Sequence, residues 1–208
     1  MAKRKIIALR DGEQRRERLV AAVGPVLVET GYAGLDMDAV CRHARVPRHL
    51  AYAWFMGLEN LVQVWAETAD HWPELEEMIG PDGAWLRGLD LGGKLSLMYS
   101  NYIAALRRRP RTLEILAREN VERTALTRIA EEVRVRRSLE LFEHVTDEFP
   151  EDIDMSALVA LMAAAVMSLA VKSRRCKSFG GVDLHSDKGW QRFQRTIEAL
   201  LGRVMGGP

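Results

Sequence analysis

Cysteine is scarce. Cys41 and Cys176 are the only two in 208 residues, too few for a disulfide framework, so the chain is expected to work in a reducing cytoplasm. Aromatic residues make up 7% of the chain, and no stretch alternates apolar and polar residues with a period of two, so a sheet protein is not expected. The net charge is only +1, which excludes a polybasic coat that would bind nucleic acid indiscriminately. No Gly-x-Ser-x-Gly elbow, His-Glu-x-x-His pair, phosphate loop or Cys-x-x-Cys motif is present. His43, His49, His71, His144 and His185 are scattered without metal-ligand spacing. Neither an enzyme nor a metal or cofactor is expected. Met1 to Arg10 lacks the apolar core of a secretory leader.

Long apolar runs are also rare. The exception is the Ala-rich stretch from Met155 to Val171, flanked by Lys172, Arg174, Arg175 and Lys177. Such charges flank membrane spans on the cytoplasmic side. The run is short for a bilayer and its alanines are weakly hydrophobic, so no membrane partner is expected. A helix apolar on all sides is instead buried on both, here against its own chain and against a partner chain.

Helical periodicity dominates what remains. Met1 to Asp11 reads as a disordered basic arm. Gly12 to Thr30 reads as a helix with Gly24-Pro25 inside it and Gly31 as its stop. His71 to Gly93 is rich in Pro and Gly and reads as a loop with one short helical piece. Helices are expected over Lys94–Arg108, from Pro110 through Arg118, over Thr124–Glu148, from Asp154 to about Lys177, and over Lys188–Val204.

The functional signal lies between Asp36 and Leu61. Asp36 is a good N-cap for a helix carrying Met37, Val40, Cys41 and Ala44 on one face. Arg45-Val46-Pro47 breaks the pattern, and Pro47 suits the first position of a second helix. Leu50, Ala51, Trp54 and Phe55 continue that helix, Gly57 ends it, and a third begins at Leu58. Two helices joined this tightly form either an ordinary helical hairpin or a helix-turn-helix, whose second helix enters the DNA major groove. In the second case Arg48, His49 and Leu50 meet base edges, Tyr52 and Trp54 reach phosphates, and Arg42 and Arg45 add charge. Up to Phe55 there are ten basic and six acidic residues, a local surplus of four positive charges.

From Arg16 to Trp65 the chain resembles the N-terminal domain of the TetR family of bacterial transcriptional regulators. The resemblance rests on Leu19-Val20-Ala21-Ala22, Glu29-Thr30-Gly31-Tyr32, Asp36-Met37-Asp38-Ala39-Val40, Val46-Pro47, Tyr52-Ala53-Trp54-Phe55 and Glu59-Asn60-Leu61. The family has Gly where Arg45 and His49 stand. It has a phosphate-contacting Lys where Leu58 stands.

The resemblance implies an all-α fold: an N-terminal three-helix helix-turn-helix DNA-binding domain, residues 1–57, and a C-terminal helical ligand-binding and dimerisation domain, residues 58–208. It implies a homodimer whose last two helices form the interface, here with Ala160, Ala164 and Ser168 on one helix and Trp190, Phe193 and Ile197 on the other. The partners are then a double-stranded DNA operator and a small, largely apolar effector that releases a repressor from it.

Met98, Tyr99 and Tyr102 lie on one helical face and are either core or the wall of an effector pocket. Arg137 interrupts an apolar stripe. It either snorkels to solvent, pairs with Glu119 or Glu122, or meets an anionic ligand. The helix from Leu58, as the sole join between head and body, is the expected lever. The rival readings are a dimer of the same fold that has lost specific DNA binding and acts through protein or small-molecule contacts, and a small-molecule binding protein or enzyme built on the same body.

Overall fold

The computed structural model describes residues 2–145 and 150–205. Helices carry nearly all of the regular structure: α1 Ala2–Thr30, α2 Met37–Ala44, α3 Arg48–Phe55, α4 Leu58–Ala66, α5 Leu75–Ile79, a 3₁₀ turn Pro81–Leu86, α6 Leu91–Arg107, α7 Pro110–Glu119, α8 Ala125–Glu143, α9 Met155–Lys172 and α10 Asp187–Met205. A hairpin of β1 Ser178–Phe179 and β2 Val182–Asp183 joins α9 to α10. Gly180 and Gly181 form its two-residue turn, both at positive φ (54° and 74°), where side chains with a Cβ are disfavoured.

Several expectations are corrected. The segment expected as a disordered arm is the first part of α1, which runs unbroken through Pro25. The loop expected from His71 to Gly93 contains α5, the 3₁₀ turn and the start of α6. α9 stops at Lys172, before the hairpin. α8 ends at Glu143, and positions 146–148 of the helix expected there lie outside the described residues.

The chain forms two compact units. One comprises Met1–Trp72 with Glu114–Val135, the other Pro73–Leu113 with Arg136–Pro208. The first therefore continues past Gly57. Its core joins Leu19, Val23 and Leu27 of α1 to Val40, Ala51, Phe55, Leu61, Val62 and Trp65, and also to Ile115, Ala130 and Val133. The chain passes between the units at three points, after Trp72, Leu113 and Val135. The helix from Leu58 is thus not the sole join, and α4 belongs wholly to the first unit.

A buried polar cluster ties the end of α1 into that unit. The Tyr32 hydroxyl donates to Glu119 Oε1 at 2.5 Å, and Arg134 holds the same carboxylate with both terminal nitrogens. Glu122 Oε2 accepts the backbone N–H groups of Tyr32 (2.6 Å) and Ala33 (3.2 Å). Arg118 donates to the Val28 carbonyl at 2.7 Å. Burial, reinforced by the Glu119 charge, pushes the Tyr32 hydroxyl well above the usual phenol range. Gly31, at φ 72°, sits where a Cβ would lie 2.6 Å from a Glu122 carboxylate oxygen. The Gly-Tyr pair therefore has a local reason: one residue makes room for the cluster and the other joins it.

In the second unit α6 is the central element. Its buried face is Leu95, Met98, Tyr99, Ile103 and Leu106, and α5, α9 and α10 pack around it. Asp90 caps α6 through Gly93 N (2.7 Å), and Asp154 caps α9 through Ala157 N (2.9 Å). Glu77 of α5 accepts from Arg109 Nη2 at 2.5 Å and from Arg108. These contacts, the Arg109 hydrogen bond foremost, hold the Glu77 carboxyl below the usual range although burial opposes them.

Candidate nucleic-acid interface

The turn between α2 and α3 is closed by the backbone. Asp36 Oδ1 accepts from Ala39 N at 2.6 Å and starts α2. Arg45 ends it in the left-handed region (φ 54°, ψ 47°), with its N–H turned back to Arg42 O and the Val46 N–H to Cys41 O. Glycine adopts that conformation without the steric cost a Cβ brings, so Arg45 carries strain a glycine would not. Pro47 is the N-cap rather than the first helical residue, and α3 begins at Arg48. At its other end Asn60 Nδ2 donates to the Phe55 carbonyl at 2.9 Å, satisfying an acceptor that the helix leaves open.

Eight residues of α3 make a rod about 12 Å long, comparable to the major-groove width of about 12 Å. Ala51 and Phe55 are buried and fix its roll against α1 and α2. Arg48, His49, Tyr52 and Ala53 are exposed, as are Arg42, His43 and Arg45. Arg48 Nη1 lies 2.9 Å from Asp38 Oδ2. Its Nη2 donates to the Tyr52 hydroxyl at 3.3 Å, and its Cζ stands 5.3 Å from the Tyr52 ring centroid. An open groove of about 460 Å³ runs along Asp38, Cys41, Arg42 and Arg45–Arg48.

Of the residues expected at the interface, the structure brings Arg42, Arg45, Arg48, His49 and Tyr52 to one exposed surface. Leu50 and Trp54 are different. Both are half-buried and pack on the core of the unit, so neither stands out as a reading residue. Leu58, in place of a phosphate-contacting Lys, also packs on that core. Met56 was not anticipated. It is 81% exposed at the C-terminus of α3, with φ 58°, and only its place just before Gly57 hinted at it.

The expected effector residues are brought together in part. Met98 and Tyr99 are buried, and Tyr102 is half-buried on the same helix. The Tyr99 hydroxyl donates to the Val159 carbonyl of α9 at 3.1 Å, and burial raises it above the usual phenol range. Tyr99 is therefore a packing residue with a satisfied hydroxyl. Arg137 is half-buried, with Nη1 3.4 Å from the Pro73 carbonyl. Of the two acids considered for it, Glu119 is held by Arg134, one helical turn earlier, and Glu122 accepts the backbone N–H groups of Tyr32 and Ala33. One cavity of the second unit, about 490 Å³, lies between α6 and α10 along Gly92, Ser96, Ser100, Gln194 and Glu198, and Met98, Tyr99, Tyr102 and Arg137 do not line it. Among the described residues, no group of three His, Cys, Asp or Glu side chains could hold a metal ion.

The last two helices leave apolar surface uncovered. On α9 only Met155, Val166 and Ala170 are buried. Ala157, Ala160, Leu161, Ala164, Ala165 and Ser168 are exposed, Leu161 by 71%. By length and composition α9 could also cross a membrane. On α10, Phe193 and Ile197 are half-buried, and Leu200 is 50% exposed. Trp190 is a correction. It is buried within its own unit, its indole N–H donating to the Leu184 carbonyl at 2.8 Å.

No protein-family model matches the sequence, and no curated protein matches it. Solved structures do. The fatty acid degradation regulator FadR from Bacillus halodurans aligns over 92% of this chain and 98% of its own, with TM-score 0.63 and 15% identity. A member of the TetR transcriptional regulator family from Streptomyces coelicolor aligns over 91% of this chain and 90% of its own (TM-score 0.55, 18% identity). A TetR-like transcriptional regulator from Rhodococcus aligns over 93% and 97% (TM-score 0.54, 14% identity). The chain has the all-α fold of the TetR-type transcriptional regulators.

Proposed function

We propose that the protein is a homodimeric DNA-binding transcriptional regulator, a repressor released from a palindromic operator by a small, largely apolar effector. The observation that carries the DNA reading is the surface of α2 and α3. A core-anchored helix of groove-compatible length presents Arg48, His49 and Tyr52, with Arg42 and Arg45 beside it. Basic groups at the rim suit phosphates, and an Arg at the helix N-terminus suits guanine O6 and N7.

Dimerisation is supported by the exposed small-residue stripe of α9 and the apolar flank of α10. A second copy covering both would bury surface that water otherwise contacts. Residues 1–57 read DNA in this account, and the remainder carries self-association and effector binding. The effector site is placed beside α6, where Met98 and Tyr102 stand on an apolar wall. Tyr102, half-buried on the same helix, offers a second phenol to the effector's polar group. Binding releases DNA only if the effector prefers the dimer shape that spaces the two heads wrongly.

The test is a gel-shift against duplex from the chain's own upstream region, wild type beside Arg48→Ala. Arg48→Ala is expected to lower specific affinity by about 1–3 kcal/mol. Equal weakening on every duplex would make Arg48 a phosphate contact. No effect on either would favour a fold retained without DNA binding.

A further inference from the structure

We infer that Asp38 is a specificity-determining residue, which acts by holding the Arg48 guanidinium in a base-reading pose and withholding it from phosphates. The inference rests on the DNA reading above and adds to it a residue on the first helix of the pair. Asp38 Oδ2 engages Arg48 Nη1 at 2.9 Å from one side, and the Tyr52 hydroxyl engages Nη2 at 3.3 Å from another. The Tyr52 ring lies beneath the guanidinium, 5.3 Å from Cζ. A guanidinium has five N–H donors. These two contacts take one on each terminal nitrogen, so a second N–H on each, and the one on Nε, stay available for a pair of acceptors such as guanine O6 and N7.

The pair is open to solvent, with side-chain exposures of 59% for Arg48 and 47% for Asp38. Asp38 also stands in the first turn of α2, where a carboxylate is favoured, but an exposed ion pair adds little to stability, so folding alone does not require its pairing with Arg48. Its place does have a consequence for binding. A negative charge on the surface that faces DNA repels phosphates on every sequence alike. A long Arg released from its partner would swing to the nearest phosphate and strengthen binding without discrimination. Asp38 supplies the first effect and prevents the second. It weakens binding to arbitrary duplex and holds Arg48 in the arrangement that only a matching base pair rewards. Specificity, as a ratio of affinities, gains from the second effect alone, because a repulsion equal on every sequence cancels in the ratio.

The experiment uses the full-length protein. Wild type first selects duplexes from a random pool, and the enriched duplex is compared with a scrambled duplex of the same composition. For Asp38→Asn the scrambled duplex should bind several-fold tighter, with a salt slope steeper by about one phosphate contact. The ratio of enriched to scrambled affinity should fall roughly tenfold. In an Arg48→Ala background the same change should leave the ratio unmoved, because Asp38 then has nothing to position. Tyr52→Phe, which keeps the ring and removes the acceptor, should lower the ratio by a smaller factor. That variant carries the test if Asp38→Asn loses its thermal transition. An unchanged ratio in whichever variant is folded would overturn the inference. So would an equal fall in the Arg48→Ala background. If wild type enriches no sequence at all, the DNA reading itself is wrong, a result distinct from either.

Discussion

The exposed faces of α3 and α9 are built from the same helical spacing and present opposite chemistry. On α3 the outward residues are Arg48, His49 and Tyr52. On α9 they are Ala157, Ala160, Leu161, Ala164 and Ser168. A charged face gains little by meeting an apolar one and much by meeting phosphates and base edges. An apolar face without large side chains admits a close helix and leaves few groups in need of water. On the proposed function the two regions suit different partners, nucleic acid at α3 and a second copy at α9, from one fold. The comparison also shows where each helix is anchored. α3 is fixed by two buried residues, Ala51 and Phe55. α9 is fixed by Met155, Val166 and Ala170, which leaves most of its circumference open.

The largest expected effect breaks the α9 side. Ala164 is exposed in the single chain, so Ala164→Glu should fold normally. In a dimer it would bury an unpaired charge, at a cost of about 3–5 kcal/mol. Sedimentation should show a soluble monomer with an ordinary melting transition and weakened operator binding. A dimer of undiminished stability would remove α9 from the interface.

The next effect lies in the unit that carries α3. Glu119→Ala leaves the Arg134 guanidinium and the Tyr32 hydroxyl without their shared acceptor in a buried site. A loss of roughly 3 kcal/mol in thermal or denaturant unfolding is expected, with no change in dimer dissociation. Glu119→Gln, which keeps an acceptor, should lose less. Equal losses for both variants would mean that the charge, which both remove, and not packing sets the contribution.

A smaller, pH-dependent effect belongs to the second unit. The Glu77 carboxyl is held below its usual range by Arg109 and Arg108. A depressed folded value means that its stabilisation is complete above the unfolded carboxylate pKa and disappears as the pH falls through the folded one. Glu77→Gln should thus be less stable than wild type at neutral pH, and the two unfolding curves should converge in acid. A gap that widens in acid would reverse the assignment. The smallest effect returns to the turn. Arg45→Gly relieves a left-handed non-glycine residue and should raise stability by about 1 kcal/mol while weakening attraction to DNA through loss of a charge. Chemical denaturation checks the first part and a salt titration of duplex binding the second.

The helix-turn-helix was legible because its signals are local. Asp36 as a cap and the break at Arg45-Val46-Pro47 act within a few residues of themselves. Leu50, expected at base edges, and Trp54, expected at phosphates, belong to the apolar face that also carries Ala51 and Phe55, and the core claims that face. Trp190 misled for a related reason. On α10, Leu201 lies only about 20° round the helix from Trp190, whereas Leu200 lies about 80° round. One apolar arc thus has a buried centre and an open flank, and sequence marks the arc without its division. The cluster of Tyr32, Glu119, Glu122 and Arg134 was the hardest to foresee. Its members are up to about a hundred residues apart, and only tertiary packing brings them together. Arg137 interrupts an apolar stripe, yet the buried Glu119 carboxylate is held by Arg134, a turn away.

The most direct test of the central claim is selection of duplex DNA from a random pool by the full-length protein, repeated with Arg48→Ala. The account predicts enrichment of a palindromic sequence whose half-sites lie about one helical turn, or a multiple of it, apart. Arg48→Ala should relax the preference at one base pair of each half-site. Enrichment of no sequence by wild type, or the same sequence enriched equally by Arg48→Ala, would contradict it.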